Sequence, residues 1–246
     1  MSPELENLPA VTYARWCSNG KNRKVPKYVR LQARQWLRIA EGKNRKAYVN
    51  EKQVSKICRL LKLMVHPDLG CSMYDGMEDY AWFLIIATLC TRAVEDDSRY
   101  YETAVLEIAR KNYKTFVSGI IFVLLMLTEP KFSRFFSVAP DLKLSTELKV
   151  AIRKIIKSSP LLDDQTVFKI LRSEIRCVLN DTEYTPLAYS DDRLEGKLAR
   201  AYLADEAGAM DIYPIEAMRS SQINLTSKLG IIIFDPVSKR QQWDDR

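Results

Sequence analysis

The sequence predicts an α/β fold, a largely parallel central sheet flanked by helices and preceded by a small N-terminal helical subdomain. Three observations point there. Short apolar, β-prone segments (Val105–Ile108, Phe132–Val138, Ala201–Ala204, Leu229–Ile233) alternate with helix-period stretches, the pattern that builds parallel sheets through helical crossovers. The first 76 residues carry helical periodicity with no comparable strand signal. Between the first core strand and the most apolar run of the chain, Phe116 to Leu127, lies a short polar turn closed by Lys114-Thr115.

Taken in order, Val11 to Lys27 is mixed in character and includes the basic string Lys21-Asn22-Arg23-Lys24, a solvated loop with some capacity for phosphate. The first clear helix spans Pro26 to Ala40, because Val29, Ala33, Trp36, Leu37 and Ala40 recur on one face, and Gly42 suits its end. A second helix opens at Asn50 as cap and stacks Val54, Ile57, Leu61 and Met64. Pro67 to Gly76 reads as a loop, and Tyr80 to Ala87 as a mostly buried helix. Beyond the apolar run, Pro140-Asp141 ends the next strand. A helix from about Ser145 to Ser158 follows, with Leu148, Ala151, Ile152, Ile155 and Ile156 inward and Lys143, Lys149, Arg153, Lys154 and Lys157 outward. That basic exterior is a candidate for contact with nucleic-acid phosphates. Glu174 to Leu179 and Tyr184 to Tyr189 flank the turn-like Asn180-Asp181-Thr182 as a hairpin, and Ser190 to Leu198 is a charged loop. A helix after Met210 runs through Arg219 to the last strand.

Composition narrows the function classes. A chain of 246 residues that is 47% hydrophobic can bury a large core. Its net charge of +7 tilts it toward polyanions without making it a basic arm. Five widely spaced cysteines with no C-x-x-C pair argue against a disulfide framework or a zinc site, and the single histidine, His66, argues against histidine-based triads. The longest apolar run is too short to cross a bilayer, and Met1 to Pro9 lacks the basic cluster of a signal peptide, so no membrane role and a cytoplasmic setting are expected.

The chemistry concentrates at two places. A strand that delivers the chain to a helix N-terminus presents free backbone N–H groups and a positive dipole end to an anion. A Lys at that point can serve β and γ phosphates, and a Thr hydroxyl can serve Mg²⁺. In the spacing G-x-x-x-x-G-K-[ST] the two glycine positions fall here on Ile108 and Tyr113, so both glycines are missing, and a Cβ with a phenol stands where the backbone approaches phosphate. About 90 residues further on, Ala201-Tyr202-Leu203-Ala204 ends in the adjacent carboxylates Asp205 and Glu206. Paired acids at the C-terminal end of a strand suit one metal-holding and one water-polarising group, or simply the acidic start of a helix.

Glu107-Ile108-Ala109-Arg110-Lys111-Asn112-Tyr113-Lys114-Thr115 resembles the Walker A segment of tailed-phage large terminase subunits, and Tyr202 to Glu206 resembles their Walker B. Arg110, Lys111, Asn112, Lys114 and Thr115 fit the family string, whereas Ala109 and Tyr113 replace its glycines. The likeness extends upstream through Lys27-Tyr28-Val29-Arg30-Leu31 and Met77 to Leu89, and downstream to Ile233. It implies a P-loop NTPase fold with a lid-like subdomain over residues 1–76 and an ATPase core over 77–233. It also implies a motor that binds ATP with Mg²⁺ and couples hydrolysis to DNA translocation into a procapsid in the host cytoplasm. By resemblance, Ala109 to Thr115 cradle the phosphates, Lys114 binds β and γ phosphate, Thr115 and Asp205 hold Mg²⁺, Glu206 orients the lytic water, and Arg110 neutralises charge on the γ phosphate. Tyr80 and Trp82 occupy the family's adenine-reading element and keep its aromatic character, with Asp79 and Ala81 in place of its proline and glutamine. Double-stranded DNA, a small terminase subunit, a portal protein and a homo-oligomeric ring are the implied partners. Residues 234–246 do not resemble the family's coupling motif, and its nuclease domain is not expected in this chain, so turnover is expected to be weakened or lost. Two alternatives stay open on the residues: a P-loop helicase-like ATPase, and a non-catalytic terminase-like binding module.

Overall fold

Apolar residues at helical spacing explain how the N-terminal helices assemble. The computed structural model describes residues 1–109, 112–187 and 197–234. The chain forms two compact units, one of residues 1–62 and 72–101, the other of residues 63–71 and 102 onward. The N-terminal unit therefore reaches Tyr101, where the sequence drew a boundary at Gly76, because the Tyr80 helix packs against the N-terminal helices.

In the first unit, α1 (Pro3–Glu6) and α2 (Pro9–Ser18) each start with a proline in the first turn, where the missing N–H goes unneeded. The sequence reading left Val11 to Lys27 without an element, yet Ala10, Val11, Ala14 and Cys17 form a buried stripe, and their small side chains explain the weak signal. Helix α3 (Lys27–Ala40) buries Ala33, Trp36, Leu37, Ile39 and Ala40. After β1 (Ala47–Val49), Asn50 accepts the Gln53 N–H at 3.1 Å as the cap of α4 (Glu51–Leu63). A short α5 (Met73–Gly76), capped by Ser72, lies inside the stretch read as loop. Helix α6 (Asp79–Cys90) leads to β2 (Thr91–Ala93), which pairs antiparallel with β1. Trp36 anchors this core: its ring meets Phe83 edge-on at 5.4 Å and its indole N–H donates to Thr91 Oγ1 at 3.1 Å.

Among the described residues the second unit is built on a seven-stranded sheet. Its elements are β3 (Thr103–Glu107), α7 (Lys114–Thr128), β4 (Arg134–Val138), α8 (Leu142–Ser158), β5 (Phe168–Ile170), β6 (Ile175–Cys177), β7 (Thr182–Pro186), β8 (Ala199–Ala204), α9 (Ile212–Ser220) and β9 (Leu229–Phe234). The strand order is β3-β9-β8-β4-β7-β6-β5. Strands β3, β9, β8, β4 and β7 run parallel, and β6 and β5 extend the sheet antiparallel. The hairpin of β6 and β7 matches expectation, while β5 was not read from the sequence because three residues carry little alternation. Phe132, expected to open β4, sits instead in a turn with φ of 64° and its ring exposed.

Alternation along the strands loads both faces of the sheet. Phe135 meets Phe122 of α7 edge-on at 6.2 Å, and Phe122 meets Tyr184 at 5.6 Å. Phe136, Val138, Tyr202, Ala204 and Ile232 belong to a separate cluster with Ile215 and Met218 of α9. Helices α7 and α8 close on each other at Gly119, where a Cβ would lie 3.1 Å from that of Ala151. Gly230 of β9 is tighter still, since a Cβ there would come within 2.7 Å of the buried Tyr202 ring.

The strand order reverses along the chain, from β3 through β4 to β5 at the far edge and then back through β6 and β7 to β8 and β9. In such sheets the crevice for ligands opens at the carboxyl ends of the strands. Both segments singled out for chemistry emerge at those ends.

Candidate functional site: the loop between β3 and α7 and the acid pair after β8

Strand β3 ends at Glu107 and α7 begins at Lys114, so the connection is short and the first turn of a fifteen-residue helix faces its mouth. Asn112 donates from Nδ2 to the Ala109 carbonyl at 3.1 Å, closing the loop on itself. Tyr113 precedes the helix in the left-handed region, with φ of 56° and ψ of 18°. This is the conformation for which glycine is ordinarily used, so a tyrosine here stores strain. Its ring is 55% exposed and stands 6.3 Å from Phe116, which in turn packs 4.9 Å from the buried His66. His66, expected in a loop, accepts the N–H groups of Asp68 and Leu69 at Nδ1, both at 3.3 Å, and so shapes that loop.

Strand β8 is separated from β3 by β9 alone, and it carries Asp205 and Glu206 just past its last residue. The Asp205 N–H donates to the Val138 carbonyl at 3.0 Å, which fixes the first acid to the sheet. Glu206 then turns the chain through a left-handed φ of 53° into the 3₁₀ turn Ala207–Ala209, and its N–H donates to Asp205 Oδ1 at 2.9 Å.

The structure brings the two segments together. Lys114 Nζ lies 3.6 Å from Asp205 Oδ1 and 3.6 Å from Glu206 Oε1. Thr115 Oγ1 donates to Asp205 Oδ2 at 3.3 Å. The Lys114 ammonium is buried yet makes no hydrogen bond among the described residues, because both carboxylates stand at ion-pairing but not hydrogen-bonding distance. Burial pushes the Asp205 carboxyl above the ordinary carboxylate range, while the Lys114 charge and the Glu206 N–H pull it down. A buried cation with unfilled donors, an adjacent hydroxyl and two carboxylates at a helix N-terminus fit a phosphate accompanied by a divalent cation. Lys114 and the first-turn N–H groups would hold phosphate, and Thr115 with Asp205 would hold the metal.

Arg110 and Lys111 lie outside the described residues, as do residues 235–246 and most of the charged loop before β8. Tyr80 and Trp82 belong to the first unit. Trp82 is 1% exposed and packs edge-on against Tyr74 at 4.9 Å, so its ring is core and offers no face for a base to stack on. Tyr80 is half-buried, and burial lifts its hydroxyl to about 12. On α8, Lys149 donates to the Leu171 and Arg172 carbonyls and Lys157 pairs with Asp163 at 2.6 Å, so two of its five candidate bases serve the fold. The sequence reading did not find the left-handed turns at Tyr113 and Glu206. The signal for the first was present, since the position is glycine in the usual motif.

A mostly parallel sheet that reverses direction, with a loop and helix N-terminus bearing Lys-Thr opposite a strand-end acid pair, defines the P-loop NTPase class. Within that class the chain belongs to the terminase large subunit ATPase-domain family, whose model, "Terminase large subunit, ATPase domain", matches residues 86–241. Among solved structures the chain is similar to the HK97 bacteriophage large terminase, with TM-score 0.60 and 20% identity, over 73% of this chain and 37% of that one. It thus spans well under half the length of that protein. A Thermus phage P74-26 large terminase ATPase domain matches with TM-score 0.46 and 14% identity, over 56% of this chain and 61% of that one. The large terminase of the thermophilic bacteriophage D6E, in complex with ADP, matches with TM-score 0.46 and 11% identity, over 54% and 33%. No curated protein matches. Among the described residues, no helix is long and apolar enough to cross a membrane.

Proposed function

We propose that this chain binds ATP with Mg²⁺ at the β3–α7 loop and hydrolyses it as the ATPase domain of a DNA-packaging terminase. The supporting observation is the buried Lys114 ammonium, which has no hydrogen-bond acceptor among the described residues and lies 3.6 Å from each of Asp205 and Glu206. In this reading Lys114 and the backbone from Ala109 to Thr115 bind the β and γ phosphates. Thr115 and Asp205 hold Mg²⁺, whose charge would offset that of the phosphate oxygens. Glu206 orients the water that attacks the γ phosphorus as the bond to the β-phosphate oxygen breaks. Arg110 would neutralise charge on the transferring group, a contribution that in related ATPases reaches about 10³-fold or more. Family membership extends the proposal to double-stranded DNA as the translocated substrate, and to a ring of copies working with a small terminase subunit and a portal in the host cytoplasm.

Titration of a fluorescent ATP analogue with and without Mg²⁺, together with phosphate release, tests the reading. Lys114→Ala should lower nucleotide affinity at least about tenfold, removing a charge-assisted contact of some 1.5–3 kcal/mol. Glu206→Gln should retain binding while turnover falls by about two orders of magnitude or more. Parental hydrolysis in both variants would overturn the assignments.

A second reading has one specific observation behind it. Tyr113 places a Cβ and a ring where the loop approaches phosphate, in a strained conformation. A nucleotide-binding module with little or no turnover follows if the parent binds Mg-ATP saturably and releases no phosphate. A helicase-like ATPase would instead show DNA-stimulated strand separation.

A further inference from the structure

We propose that the outer face of α3, with the turns at its two ends, is a docking surface for the phosphate backbone of duplex DNA. Residues 21 to 46 contain ten Lys and Arg and a single acid, Glu41, a balance of +9 in a chain whose total is +7. All the remaining residues together sum to −2, so the basic character of this protein is the property of one segment. A uniformly solvated surface would not concentrate it so.

The fold arranges that charge linearly. Helical spacing puts Lys27, Arg34 and Arg38 on one narrow stripe of α3, all exposed. Lys21, Arg23 and Lys24 precede the helix and Lys43, Arg45 and Lys46 follow it in the turns at its ends, all exposed as well. The fourteen residues of α3 alone are about 21 Å long. That matches about six base pairs of duplex at ~3.4 Å each.

Several of these groups are free to engage and others are pre-set. Among the described residues the Lys24, Arg38 and Arg45 side chains make no hydrogen bond or ion pair. Arg34 is held by Nε donation to the Ser18 carbonyl at 3.0 Å, and Arg30 by donation to the Asn22 and Val25 carbonyls at 2.6 and 3.1 Å. Tyr28, 79% exposed with Lys27 Nζ 5.8 Å from its ring centre, adds a hydroxyl donor beside the stripe.

An anionic membrane would require an apolar face to enter the interface. The broad apolar face of α3, made by Ala33, Trp36, Leu37, Ile39 and Ala40, is already in the core of its unit, and Tyr28, Val29 and Leu31 are exposed singly among the bases. The preference for duplex DNA among nucleic acids rests on the packaging reading above; the concentration of charge does not.

Fluorescence anisotropy with the whole chain and a labelled 30-base-pair duplex, at about 50 to 200 mM salt, tests the surface. The variant carrying Lys24→Gln, Arg38→Gln and Arg45→Gln should bind at least about tenfold more weakly at the low-salt end. The slope of log affinity against log salt should shrink by about 2 to 3. A variant with the same charge change on α8, Lys143→Gln, Arg153→Gln and Lys154→Gln, should lose less than about twofold. No binding by the parent, equal losses in the two variants, or tighter binding to phosphatidylserine vesicles than to the duplex would each overturn the proposal. Nucleotide titration of the same samples separates the two readings: DNA binding through α3 without ATP binding sinks the ATPase assignment alone, and the reverse result sinks this one alone.

Discussion

Tyr113 is the residue at which sequence and backbone disagree most. A left-handed φ of 56° costs an L-residue about 1–2 kcal/mol, whereas glycine adopts it freely. Tyr113→Gly should therefore be more stable than Tyr113→Ala by about 1 kcal/mol in urea denaturation, because both lose the contact with Phe116 and only glycine relieves the backbone. Equal stabilities would mean that the turn relaxes. The convergence of Lys114 and Thr115 with Asp205 was anticipated through the resemblance to the terminase segments, because the residue types alone left a plain helix start and an acidic turn open; the parallel order of β3, β9 and β8 puts both at the same end of the sheet. Trp82 shows where such reasoning stops. Its aromatic character survived in the motif position, but burial against Tyr74 decides what a ring can do, and burial is a property of the packed unit.

At the scale of elements, helices with large side chains on one stripe were readable to within about three residues at their ends. The expected Pro26–Ala40 helix is α3, and the expected cap Asn50 caps α4. Elements made of small or few residues were not readable, as α2 with its alanines and the three-residue β5 show. Strand neighbours also escape a sequence reading, since β9 reaches its place between β3 and β8 only through tertiary packing. That placement depends on Gly230, whose missing side chain admits the Tyr202 ring. Gly230→Ala should destabilise the chain by about 1–3 kcal/mol through overpacking. Adding Tyr202→Leu should recover part of the loss, and strict additivity in a double-mutant cycle would show that the two positions do not compete for space.

For the whole molecule, the sequence anticipated a helical part before an α/β part, while the chain's return through residues 63–71 to the second unit was invisible, because no composition shift marks it. Each unit has its own core, so native-state hydrogen exchange at increasing denaturant should resolve two groups of amides with separate opening free energies. Within the second, the amides of β8, which is paired on both sides, should outlast those of β3, which among the described residues pairs with β9 alone. Equal protection of β3 and β8 would contradict this ordering.

That inequality between β3 and β8 makes the two walls of the pocket mechanically unlike. The carboxylates follow a strand clamped from left and right, whereas the loop that leads to the lysine and threonine at the start of α7 leaves a strand that, among the described residues, has a single hydrogen-bonded neighbour and an exposed Val105. An occupant of different size or charge should therefore displace the β3 edge before it displaces the strand that carries the acids.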